Sequence, residues 1–172
     1  MSAFLRRQLT DYVEYHRNPV NCALHVVGIV ILFLGAILPL SLWPVTVFGL
    51  PLNVGVLLSA PVLIYWVLLD VSIGLAIAAA AALLLFTGAI IASHASVTVV
   101  WTISIVLIVI GVAMQIVGHQ VFERRQPALV DNPTHLLLGP VFVMAKLFIS
   151  LGFRDDLAAV IQQNQGGVQQ DR

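Results

Sequence analysis

Apolar residues fall along this chain in long runs separated by brief polar punctuation, a spacing that predicts an all-α integral membrane protein with about four transmembrane helices. The first segment differs from the rest. Leu5, Leu9, Tyr12, Val13 and His16 recur at helical spacing between residues 4 and 16, while Arg6, Arg7, Asp11 and Glu14 fall largely elsewhere. That pattern predicts an N-terminal amphipathic helix lying on the membrane. Asn18-Pro19 then has the form of a helix start, with Asn18 as N-cap and Pro19 at the first helical position. It opens a first span running from residue 20 or 22 to 43. Trp43-Pro44 and residues 49–53 mark a tight connection to the second run, 54–69. Asp70 separates that run from the third, 71–92, whose Gly74 and Gly88 permit close helix approach. Ser93-His94-Ala95-Ser96 turns the chain into the fourth, 97–117. The second run is short for a bilayer and meets the third with almost no loop. The last apolar segment, 135–153, carries Pro140 and Lys146, and a lysine at mid-membrane costs about 2.5–3.5 kcal/mol. A partly inserted helix is therefore expected there, with a fifth span as the alternative. Residues 1–160 read as a single membrane-embedded domain and 161–172 as a polar, disordered tail.

Composition supports the membrane reading and narrows the chemistry. Hydrophobic residues make up 60% of the chain, charged residues 9%, and the mean hydropathy is +1.02. Eight Lys and Arg balance eight Asp and Glu, without a basic stripe able to neutralise a phosphate backbone, so nucleic acid is not an expected partner. Cys22 is the one cysteine, which excludes an internal disulfide and a thiolate metal cluster. Any metal must use histidine, carboxylate or water. The charged residues before position 21 leave no early apolar stretch for a removable signal peptide. Arg6, Arg7 and Arg17 precede the first span and Arg124 and Arg125 follow the fourth, while the connections between carry neither Lys nor Arg. Both ends are thus expected on the cytoplasmic side. The membrane itself is expected to be a bacterial inner membrane, or the endoplasmic reticulum in a eukaryote; the oligomeric state is left open.

Four of the five histidines, His16, His25, His119 and His135, lie in two polar segments at the ends of this apolar core. Four crossings would bring them to one membrane face, leaving His94 on the other. Neutral imidazole is the commonest metal ligand, so the set points to a metal site, although any one of them alone is more often a hydrogen-bonded interfacial side chain. Asn21, His25 and Gly28 share a helical stripe, and Gln115, His119 and Glu123 repeat the i, i+4 spacing. Glu123 can orient or join the site, or pair with Arg17, Arg124 or Arg125. Asp131 and Asn132 read as caps of the helix that carries His135, and Tyr12 and Tyr15 as interface aromatics.

Tyr12-x-x-x-His16 running into Asn18-Pro19-x-Asn21-x-x-x-His25-x-x-Gly28, together with Gly118-His119-x-x-Phe122-Glu123-x-x-x-Pro127-Ala128-Leu129, resembles the Mpo1-like family of 2-hydroxy fatty acid dioxygenases. The resemblance covers nearly the whole chain in order. It departs at Gly28-Ile29-Val30, where members often carry proline. It implies an Fe(II)-dependent membrane enzyme of fatty acid α-oxidation that consumes O2 and shortens a 2-hydroxy long-chain fatty acid by one carbon. On that reading His16, His25, His119 and His135 surround iron, with Glu123 and Asn21 assisting catalysis and Arg17 and Asn18 holding the substrate carboxylate. Two other readings stay open: a membrane diiron hydroxylase or desaturase, whose closely spaced histidine boxes are missing, and a non-enzymatic haem-binding or transport four-helix protein.

Overall fold

A computed structural model describes residues 2–124 and 133–166. The chain divides into two compact units, one made of Met1–Val26 with Met114–Arg172 and the other of Val27–Ala113. Helices α2 (Pro19–Leu40) and α5 (Val97–Val117) each contribute residues to both.

In the first unit, α1 (Ala3–Val13) begins where the Ser2 hydroxyl accepts the Leu5 N–H at 3.1 Å. Its stripe of Leu5, Leu9, Tyr12 and Val13 is fully or almost fully buried. The covering surface is protein: α1 packs on α6 (Leu138–Ser150) and α7 (Asp155–Gly166). The helix is amphipathic as expected, and its apolar stripe is covered by a second one, Leu157, Val160 and Ile161. Burying each of the three aliphatic side chains on α1 contributes about 1.5–3 kcal/mol. Helix α7 continues to Gly166, and residues 167–172 of the expected polar tail lie outside the described residues. Between α6 and α7 the axis bends by 116°. Gly152 at φ +77° makes that bend: its N–H bonds to Ile149 O, Phe153 N–H bonds to Phe148 O, and the two phenylalanine rings meet at 6.4 Å. These are the paired hydrogen bonds and apolar clasp of a Schellman ending. At 13 residues α6 is about 20 Å long, short of the hydrocarbon core.

The second unit holds the long apolar helices. After α2, the expected connection forms a small β-hairpin, β1 (Pro44–Val47) paired antiparallel with β2 (Leu50–Asn53) through a two-residue turn at Phe48 and Gly49, both at positive φ. Asn53 then caps α3 (Val54–Leu69), its side chain accepting the Val56 N–H. Asp70 alone links α3 to α4 (Val71–His94), ending one helix and capping the next through Ile73 N–H and Ser72 Oγ–H. The turn is that tight because Gly74 lies on the Val67 backbone, where a methyl group would collide. Helices α2 and α5 also approach closely: Ser104 Oγ donates to Gly35 O at 2.6 Å, and Gly111 lies against Leu32 and Gly28 O. Among the described residues three helices are long and apolar enough to cross a bilayer, Pro19–Leu40, Val71–His94 and Val97–Glu123, whereas α3 has 16 residues. Leu68, Leu83 and Phe86 are each more than 60% exposed, an exterior suited to lipid and not to water. The protein is integral to a membrane.

Candidate metal centre

The site lies wholly within the first unit. Asn18 Oδ1 accepts the Val20 N–H at 2.8 Å and so starts α2 as an N-cap. One turn on, Asn21 O accepts Nδ1–H of His25 at 3.0 Å. His16, in the turn between α1 and α2, repeats the device, its Nδ1–H donating to Tyr12 O at 3.0 Å. A carbonyl can only accept, so both rings carry their proton on Nδ1 and present a bare Nε2. His119 comes from a π turn, Gly118–Glu123, that continues α5 and closes with Arg124 N–H on His119 O. Gly118 sits so close to Asn21 that a methyl there would strike its amide oxygen.

These three segments bring His16, His25 and His119 together. One ring nitrogen of each lies within 4.8 Å of the others, and all three residues are buried. The ring centroids are 4.4 Å apart for His16 and His25, 4.7 Å for His25 and His119, and 5.0 Å for His16 and His119. Imidazole–metal bonds are about 2.0–2.1 Å, so nitrogens on one ion sit up to about 4 Å apart, and the trio needs only slight closure. His16 Nε2 and His119 Nδ1 are buried without a hydrogen-bond partner among the described residues. Such nitrogens cost free energy unless something occupies them, and a transition-metal ion fits a neutral imidazole set. Desolvation, reinforced by neighbouring His25, pulls the pKa of His16 to about 2 and keeps the ring neutral.

Tyr12 stacks on His16 at 4.2 Å with the rings 11° from parallel, and Phe142 of α6 closes another side at 5.3 Å. Burial, and then Cys22, push the Tyr12 phenol above its ordinary pKa. His135, in a 3-10 turn at Pro133–Leu137, meets Tyr12 edge-on at 5.6 Å and Tyr15 at 6.0 Å. It is buried but stands outside the group of three. Tyr12 is thus a wall of the site, where the sequence suggested an interface aromatic. The spacing Tyr12-x-x-x-His16 was the available signal.

Glu123 faces α2. Its Oε1 accepts the Asn18 N–H at 2.7 Å and Asn21 Nδ2–H at 3.0 Å, and Asn21 Nδ2 also reaches Tyr15 O at 3.3 Å. Arg17 is exposed, and Asn18 has its amide oxygen engaged as a cap. Asp131 and Asn132, expected as caps, lie outside the described residues. Two further residues had weak sequence signals: Cys22, buried, and Lys146, whose charge interrupts an apolar helix.

The family described as 2-hydroxy-palmitic acid dioxygenase Mpo1-like matches residues 2–151. The chain belongs to the Mpo1-like family. It is 35% identical over 162 residues to the 2-hydroxy-palmitic acid dioxygenase MPO1 of Saccharomyces cerevisiae, a match covering 93% of this chain and 88% of the yeast protein. No solved structure matches it.

Proposed function

We propose that this protein is a membrane-bound, Fe(II)-dependent dioxygenase that converts a 2-hydroxy long-chain fatty acid and O2 to the acid one carbon shorter. The reaction balances with CO2 and water as the remaining products and O2 as the only oxidant. The observation that carries the reading is the buried trio of His16, His25 and His119, with two ring nitrogens aimed by main-chain carbonyls. The name of the yeast relative supplies the substrate class. Bound iron supplies open coordination positions and the electrons that let O2 react with a closed-shell hydroxy acid. In this reading the chain itself does the rest. The three histidines hold the ion, Tyr12 and Phe142 keep water from it, and Asn21 and Glu123 fix the start of α2 against the end of α5. His135 supports the Tyr12 ring from its edge. The substrate's alkyl chain stays in the hydrocarbon layer while its head enters the site. The arginines flanking the first and last long spans favour a cytoplasmic face for this site.

Purified protein loaded with Fe(II) should consume O2 with 2-hydroxypalmitate but not with palmitate, and mass spectrometry should find a product shortened by one carbon. A product of unchanged carbon count would support a diiron hydroxylase instead. No bound iron and no substrate-dependent O2 uptake would remove the proposal.

A further inference from the structure

Lys146 is out of place in an apolar helix, and its surroundings say what it is for. A lysine at a membrane edge ordinarily extends its stem and carries its charge out to water or headgroups. This one turns inward. Its ammonium lies 5.1 Å from the centre of the Phe142 ring and 3.1 Å from Sγ of Cys22, a residue that is 5% exposed. A thiol sulfur is a weak acceptor, an ammonium has three donors, and among the described residues no carboxylate lies within ion-pair distance of it. Both neighbours lead directly to the three histidines. Cys22 precedes His25 by three residues on α2 and donates its S–H to His16 O, and the Phe142 ring packs on His16.

We infer that Lys146 binds the carboxylate of the substrate, a role resting on the dioxygenase reading above. A three-histidine ligand set is neutral, so it does nothing to hold an acid head group beyond what a bound ion attracts. A carboxylate next to His16 would find in Lys146 the one cation of the described residues turned toward the site, in exchange for the weak contact to Cys22. Arg17, on the surface, faces solvent and is not so placed. The site therefore selects ionised acids over their esters and amides.

The test is direct binding, without turnover. Full-length protein in detergent, with Zn(II) replacing iron, is titrated calorimetrically with 2-hydroxypalmitate and with its methyl ester; micelle partition is common to all variants and cancels between them. A charge-assisted hydrogen bond predicts that Lys146→Met weakens acid binding by about ten- to a hundredfold while ester binding and metal content stay unchanged. Lys146→Arg should recover most of the loss. Cys22→Ala, which removes only the present partner, should bind the acid at least as tightly as the parent. Three results would overturn the proposal: Lys146→Met binding acid within about twofold of the parent, Lys146→Met shedding its metal, or Cys22→Ala losing acid binding as Lys146→Met does. The last two would make Lys146 and Cys22 a structural tie. Failure of the parent to consume O2 would count against the dioxygenase reading alone and leave this binding result standing.

Discussion

His16 and His25 each use one ring nitrogen on a carbonyl four residues back, and that local economy makes the other nitrogen available. The two rings are therefore oriented before any ion arrives, and His119 completes the set from a different helix. Removing any of the three should be severe. His16→Ala, His25→Ala and His119→Ala are each expected to lower metal affinity by more than the roughly 10- to 100-fold typical of losing a mere orienting partner, read as metal lost on dialysis by elemental analysis. His135→Ala, beyond the Tyr12 ring, should keep its metal. Glu123 makes a sharper prediction. Its Oε1 accepts two hydrogen bonds from the start of α2, a task that the amide oxygen of glutamine can also perform. Glu123→Gln should therefore retain metal and fold, whereas Glu123→Ala strands the Asn18 and Asn21 donors and should cost about 1–3 kcal/mol in thermal unfolding. Equal metal loss in both variants would mean that the carboxylate charge itself is required.

At the scale of elements, the site depends on two helices approaching without a side chain between them. Gly118 begins the π turn against Asn21, and the same asparagine carbonyl aims His25. Gly118→Ala places a methyl group in contact with the Asn21 amide and 3.5 Å from His25 Cε1, so the helix end must shift. Overpacking of this kind costs about 1–3 kcal/mol, and metal content should fall with it. Unchanged metal content would show that the π turn adapts. The same element marks where sequence reasoning stopped. Asn18 as cap and His25 one turn from Asn21 were legible because α2 is regular, and the apolar runs located the long helices. The two hydrogen bonds that Glu123 accepts from the start of α2 join residues 105 and 102 positions apart, and no local spacing announces them. The α1 stripe was legible as amphipathic, but its partner was not: Leu157, Val160 and Ile161 make a face only once α7 folds back through the turn at Gly152. Lys146 was visible as a cost in an apolar segment, while its inward turn onto Cys22 is purely tertiary.

At the scale of the whole molecule, two kinds of stability are present, and separate experiments reach them. The second unit carries its apolar side chains outward, so lipid is part of its structure. Leu83 on α4 is 69% exposed, and Leu83→Lys, harmless on a soluble protein, should cost about 2.5–3.5 kcal/mol and reduce membrane insertion. The first unit is different, because the whole of the second is inserted in the chain between His25 and His119. A metal ion holding His16, His25 and His119 ties segments that the backbone joins only by that long detour, so it closes the first unit in the way a cross-link would. Metal at about a hundred times its dissociation constant adds about 2.7 kcal/mol to the folded state. Removing it with a chelator should speed amide hydrogen exchange in α1, in the start of α2 and in the π turn, and restoring the ion should reverse the change. Exchange in the α3–α4 hairpin should stay the same, since Asp70 and Gly74 hold that turn without the site. Acceleration spread evenly over both units would mean that the metal stabilises the fold as one cooperative block; no acceleration near the histidines would mean that they do not hold it.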